Sequence, residues 1–292
     1  MIFAIIEQGA LYAPLILGAY LSLVLMKIPN LAIESAYIFG AIMAAKVTLL
    51  TNGPSVPALL AAICAAGTGG MLVGLLAALL AERLAISPLL AAIITTGIFH
   101  GVALFVLGGT HCSLPGTHSS LRLVPCVAGY PDLCGIACIA GITIMMFIVF
   151  MKTKLGVSCA LYGDNRTFLR HYRISTSYVV AAGLAASNAL SGISGYLIAQ
   201  SNSFVDTGMG AGLPLICLTA LILGRSLMRT RAIITSIPPL CGLFFYFVLQ
   251  HALLNTGFDL RYFMAVQALI VVVTLVGITR FGSSSYREII DL

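Results

Sequence analysis

Apolar runs long enough to cross a lipid bilayer recur along almost the whole of this chain. They fall roughly at residues 3–26, 31–50, 58–80, 89–108, 133–151, 177–199, 211–224, 232–249 and 262–279, separated by polar or Gly/Pro punctuation. About 20 apolar residues span the hydrocarbon core as a helix. Composition agrees: 60% of the 292 residues are hydrophobic and 8% are charged, where soluble domains carry about 25% charged residues. That excludes a soluble enzyme, a secreted disulfide scaffold and a disordered chain. The expectation is an all-α, polytopic transmembrane bundle of about nine spans (eight to ten), forming one domain over residues 1–292.

Two runs look interrupted. The seventh is short and opens with Gly208, Gly210, Gly212 and Pro214, as a broken helix lining a cavity would. The second follows Pro29 closely and carries Glu34. No basic segment precedes the first run, which is therefore read as a retained span.

The net charge of +6 is read through topology before any acidic partner is invoked, and no nucleic-acid partner is expected. Placing 152–176 in the cytoplasm puts Lys27, Arg83, Lys152, Lys154, Arg166, Arg170, Arg173, Arg225, Arg229, Arg231, Arg280 and Arg287 inside. Lys46, Arg122 and Arg261 are left outside or within a span. That bias predicts an outer N-terminus, a cytoplasmic C-terminus and an odd number of crossings. The longest outer segment, 109–132, holds Cys112, Pro115, His118, Arg122 and Cys126. Cys112 and Cys126 read equally as a disulfide or as free thiols. Cys64, Cys159, Cys217 and Cys241 lie in or beside apolar runs and read as small hydrophobes, and no Cys-x-x-Cys pair suggests zinc.

No Gly-x-x-x-x-Gly-Lys-Ser/Thr run is present to cradle nucleotide phosphates, and no His-Glu-x-x-His. Any ATP-driven role needs a separate ATPase, and the chain itself is expected to bind no cofactor. The most patterned stretch starts with the polar loop Tyr162-Gly163-Asp164-Asn165-Arg166-Thr167-Phe168-Leu169-Arg170-His171-Tyr172-Arg173-Ile174. Gly163 can break the incoming helix, and Asp164 or Asn165 can cap a new one. On that helix Phe168 and Tyr172 fall four residues apart beside Leu169, and Arg166 pairs similarly with Arg170. An apolar edge with nowhere internal to go suits a partner's groove; a basic loop obeying the charge bias is the plainer reading.

In the next run Gly183, Ser187, Ser191 and Gly195 repeat every four residues, a stripe that lets helices approach closely. Gly70, Gly74 and Ala78 form a similar stripe in the third run. Asn188 sits beside the first stripe, and an amide there either pairs across helices or lines a path. Glu34 either borders an inner gate near the cytoplasmic side or sits at the interface. Glu7 and Lys46, each about one turn from an outer end, are expected to pair. His100 reads as a satisfied packing histidine, and Met145 and Met146 as lipid-facing or core-filling residues.

The loop Gly163-Asp164-Asn165 … Ile174, followed by Ala186-Ser187-Asn188-Ala189-Leu190-Ser191-Gly192-Ile193-Ser194-Gly195-Tyr196-Leu197-Ile198-Ala199-Gln200, resembles the integral-membrane permeases of bacterial ABC importers. The branch it resembles holds the branched-chain amino-acid and ribose-type permeases, and within it those paired with tryptophan-type substrate-binding proteins. Phe204-Val205-Asp206 … Met209-Gly210-Ala211-Gly212, Ile222-Leu223-Gly224 and the N-terminal Gly18-Ala19-Tyr20-Leu21-Ser22 … Ile28-Pro29-Asn30-Leu31 … Glu34-Ser35 continue the likeness. It runs from about residue 9 to 280, is strongest over 155–224, and departs at 109–132.

The resemblance implies that 163–174 is a coupling helix seated on an ABC ATPase, with Gly163, Asp164, Asn165, Arg166, Phe168, Leu169, Arg170 and Tyr172 as the coupling set. It implies a dimer of permease subunits in the inner membrane, an extracytoplasmic substrate-binding protein, and ATP with Mg²⁺ used by the partner. Glu34 and Asn188 would then border the translocation path of a small polar solute, an amino acid or related metabolite. Two other classes compete. An ion-coupled secondary transporter would share the span count, but it usually carries carboxylates at mid-depth, and these are almost absent here. Gly192-Ile193-Ser194-Gly195 looks like a rhomboid nucleophile motif, which needs a His base such as His251 within reach of Ser194.

Overall fold

A computed structural model describes residues 2–51, 55–114, 133–227, 236–255, 265–269 and 272. Most of the ninth run lies outside these residues, as do Pro115, His118, Arg122, Cys126, Arg229, Arg231, Arg261, Arg280, Arg287 and the side chain of Arg170.

The described chain is a helical bundle. Its elements are α1 (Ile2–Ala19), a π-helical continuation (Tyr20–Leu25), α2 (Ile33–Leu50), α3 (Val56–Arg83), α4 (Pro88–Leu107), β1 (His111–Ser113), α5 (Leu133–Lys152), α6 (Lys154–Asp164), α7 (Arg166–His171), α8 (Thr176–Asn202), β2 (Phe204–Asp206), α9 (Leu213–Leu227) and α10 (Ile237–Asn255). Helix starts follow local chemistry. The Ser55 and Ser87 hydroxyls accept from the Ala58 and Leu90 amides, and each cap is followed by proline in the first turn. Gly108 stops α4 with a left-handed φ of 76°.

Among the described residues six helices are long and apolar enough to cross a membrane: Phe3–Leu25, Ile33–Leu50, Val56–Arg83, Pro88–Leu107, Leu133–Lys152 and Ile237–Asn255. This is a multi-pass membrane protein. The 27-residue α8 is long enough too but less apolar, because it carries Ser187, Asn188, Ser191, Ser194 and Gln200, all buried. It is the axis of the bundle, with α1, α2 and α3 packed around it. At 15 residues α9 is about 22 Å long, short of the roughly 30 Å hydrocarbon core. Turns over Thr207–Gly212 lead into it from β2. Among the described residues the ribbon is the departure from an all-helical chain: β1 and β2 pair antiparallel, with His111 opposite Asp206.

α8 presents two stripes. Along one, the Ser187 hydroxyl donates to the Gly18 carbonyl at 2.7 Å, Ser191 to Ile33 at 2.8 Å and Ser194 to Leu11 at 2.7 Å. Gly183 lies against the Met26 sulfur and Gly195 against the Tyr37 carbonyl. Along the other stripe α3 comes equally close: Gly70 and Gly74 rest on the carbonyls of Asn188 and Leu184, and Gly192 on that of Ala66. Pairing each hydroxyl with a helix carbonyl removes the penalty of burying it and contributes about 1 kcal/mol apiece. The sequence points to the first stripe and to the Gly70, Gly74 and Ala78 stripe of α3; that the α3 stripe packs on Leu184, Asn188 and Gly192 follows only from the fold.

Cysteines behave as small hydrophobes where buried. The Cys159 thiol points at the Val179 carbonyl at 3.9 Å, and burial pushes its pKa up to about 11. Cys112 is a free thiol and Cys134 is disulfide-bonded, which decides against a Cys112 disulfide.

Candidate functional site

The patterned loop folds as a helical hairpin. Thr153 caps α6 through the Gly156 amide at 3.3 Å. At Gly163 the hairpin lies so close to the Leu25 carbonyl that a Cβ there would collide with it. Asn165 ends α6 and starts α7, its side-chain oxygen accepting from the Phe168 amide at 3.1 Å. Arg173, at a left-handed φ of 57°, turns the chain away, and the Ile174 amide closes on the Leu169 carbonyl at 3.0 Å.

Six residues of helix are thereby fixed with a defined outer face. Phe168 and Tyr172 are 43% and 63% exposed, their rings 4.6 Å apart. Asp164 and Arg166 are exposed beside them, and the Arg166 guanidinium lies over the Tyr162 ring at 4.6 Å. Lys152, Lys154 and Arg173 are exposed nearby in sequence. The product is an exposed aromatic pair within a basic stretch of the chain. Leu169, expected on the same exposed edge, is fully buried. It faces the opposite way because one apolar residue must anchor so short a helix to the bundle. Gly163 and Asn165 shape the hairpin through a backbone contact and a cap.

The path residues separate from this surface. The Asn188 side chain is completely buried and accepts from Asn30 Nδ2 at 3.2 Å; Asn30 is itself buried. Asn30 was not singled out as Asn188's partner by sequence reasoning, because 158 residues separate the two. Glu34, expected on the same side as the 152–176 loop, does not lie at the hairpin end of the bundle. The chain turns back after Leu25, so α2 begins alongside Ser191, past the middle of α8. Glu34 is half-buried there, its side chain against Gly210 in the turns before α9. Lys46, expected to meet Glu7, donates to the Leu107 carbonyl at 3.4 Å. His100, expected to be a packing histidine, lies on an exposed face of α4. Met145 and Met146 are exposed on α5.

The serine-nucleophile reading fails on geometry. The Ser194 hydroxyl is fully buried and committed to the Leu11 carbonyl, and the His251 ring contacts the Phe247 carbonyl at 3.1 Å. Neither is arranged as a nucleophile with its base. A fluorophosphonate probe is expected to leave the purified chain unlabelled; labelling abolished by Ser194→Ala would reverse that conclusion.

Residues 1–275 match the family described as the permease component of the branched-chain amino acid transport system. An uncharacterized protein of Rickettsia prowazekii is 27% identical over 264 residues, which cover 87% of this chain and 89% of that protein. A tyrosine transport system permease protein of Clostridioides difficile is 26% identical over 78% of this chain and 74% of its own length. An autoinducer 2 import system permease protein of Escherichia coli is 26% identical over 72% of this chain and 60% of its own length. No solved structure matches.

Proposed function

Because the chain belongs to the family of permease components of branched-chain amino acid transport systems, we propose that it is the membrane-spanning subunit of an ABC importer that moves a small polar solute. A separate ATPase hydrolyses ATP with Mg²⁺, and an extracytoplasmic binding protein delivers the solute. A second copy of the permease completes the path between them, in the inner membrane. The α6–α7 hairpin lies on the cytoplasmic side, with the N-terminus outside.

The observation that carries this reading is the exposed Phe168–Tyr172 pair on a capped, anchored helix with Arg166 beside it. Aromatic and arginine side chains supply most interface hot spots, and a short helix laid into a groove is a recurrent docking mode. On this reading Glu34 borders the path, beside the Gly210 turn. Asn188, completely enclosed here, acts from behind it. The solute is an amino acid or related metabolite, supported by the family description and by the relative named for tyrosine.

The test is a mild-detergent pull-down of the full chain from its native membrane. A stoichiometric P-loop ATPase is expected. A stable, monodisperse permease with no ATPase would overturn the reading in favour of a secondary carrier.

A further inference from the structure

Between α1 and α2 the chain is built to bend. The π-helical turn ends with the Met26 amide on the Leu21 carbonyl at 3.0 Å. π-helical turns recur at functional sites. Lys27 takes a left-handed φ of 52°, uncommon for a residue with a side chain. Ile28 to Asn30 run without helix, and the chain re-enters helix at Ile33. Asn30 is the pivot of this break. Its Oδ1 accepts from the Ala32 amide at 3.1 Å, and its Nδ2 donates to Asn188 Oδ1 at 3.2 Å.

The pair is half-satisfied. Asn188 Nδ2 is buried without a partner among the described residues. Such an orphan donor is rare and calls for a reason; a group that finds its partner in another state of the molecule supplies one. The break also borders a cleft, lined by Ile28, Pro29 and Asn30 on one side and by Ala81, Tyr162 and Leu184 on others. The α6–α7 hairpin therefore meets the break twice. Gly163 sits on the Leu25 carbonyl, and Tyr162, beneath the Arg166 guanidinium, walls the cleft.

We propose that the Asn30–Asn188 amide pair is a latch: it holds the Met26–Ala32 break against α8, and displacement of the α6–α7 hairpin, delivered at Leu25, draws the break into the cleft and parts the pair. This rests on the importer reading above, in which the hairpin is the part an ATPase moves. Asn30 and Asn188 are positioning residues. They set which way the broken span lies without touching nucleotide.

Two measurements test it. In the lipid-reconstituted permease alone, Asn30→Ala and Asn188→Ala are each expected to raise amide hydrogen exchange over 26–32 about tenfold, leaving α3 and α10 unchanged. Asn30→Asp keeps the acceptor for Ala32 and offers the idle Asn188 amide a carboxylate, so exchange returns to near wild type. In the complete transporter in proteoliposomes, Asn30→Ala is expected to raise ATP hydrolysed per solute several-fold, and Asn30→Asp to push hydrolysis below wild type. Loss of folding alone would move both in the same direction. If the alanine variants fail to insert, Asn30→Ser retains a short acceptor for Ala32 and takes their place. Unchanged exchange overturns the latch, as does raised exchange with an unaltered ratio of ATP to solute. Should no ATPase assemble with the chain, the importer reading falls, while the exchange experiment still decides whether the amides hold the break.

Discussion

Replacing Phe168 and Tyr172 together with alanine is expected to abolish co-purification of the ATPase and cut solute uptake more than tenfold, leaving the permease as stable as before. The two rings pack on each other at a tilt, and Tyr172 meets the His171 ring edge-on, while both keep about half their surface open. Truncating a central aromatic at an interface costs about 2 kcal/mol or more. Two such losses lower affinity on the order of a thousandfold. Neither ring is buried in the bundle, so thermal unfolding in detergent should shift little. Leu169→Ala is the internal contrast. It empties a fully buried site, so it should cost about 2–5 kcal/mol of stability and reach the ATPase only through a loosened hairpin. Arg170→Glu, which reverses a charge on the same helix, should weaken assembly without unfolding the chain. Co-purification together with melting temperature for all three variants separates contact from support. Full ATPase binding by the double alanine variant would remove the docking surface from consideration.

The second large effect belongs to Gly192. Its Cα lies against Gly40 of α2, and a Cβ at position 192 would meet the Ala66 carbonyl of α3. Three helices thus converge on one residue without a side chain. The obstructing atoms are main-chain atoms, which no rotamer change can move aside. Gly192→Leu must push α3 away from α8 and break the contacts at Gly70 and Gly74 with it. Overpacking a core costs about 1–3 kcal/mol where side chains can yield, and more where they cannot. The expected result is loss of most folded protein, read as the monodisperse fraction in fluorescence-detected chromatography. Gly97 on α4 is the control, since nothing lies within 4 Å of a Cβ built there. Gly97→Leu should change stability by less than about 0.5 kcal/mol. Equal yields of the two leucine variants would mean that α3 and α8 do not pack as described.

Much of the helical layout was legible because bilayer-crossing segments must be apolar over a fixed length. The run at 89–108 became α4 at Pro88–Leu107, and the run at 133–151 became α5 at Leu133–Lys152. Asn165 was legible as a cap because its side chain acts within three residues of itself. What stayed hidden depended on contacts across the chain. Leu169 and Phe168 are neighbours of similar hydrophobicity, and only the packed bundle decides which one turns inward. The depth of Glu34 could not be read by counting residues, since the chain reverses at Lys27 before its helix begins. α8 hid its own importance. Polar side chains lower its apolarity, yet the buried hydroxyls of Ser187, Ser191 and Ser194 are each taken up by a carbonyl on a neighbouring helix.

The ribbon between His111–Ser113 and Phe204–Asp206 stitches the end of α4 to the end of α8. At the same level Lys46 holds α2 to the Leu107 carbonyl, and Gln200 reaches Thr48 at 3.5 Å. At the far end the Ser177 hydroxyl donates to Glu82 at 2.6 Å on an exposed surface, near the small cleft that the break borders. A body stitched at one end and only indented at the other would open like tongs. α8 is about 40 Å long, so parting the indented end by about 2 Å would turn the arms by only about 3°, and close-packed helices accommodate shifts of that size by sliding past one another. The stitched end would supply the pivot, and the indented end is where a small push would do the most.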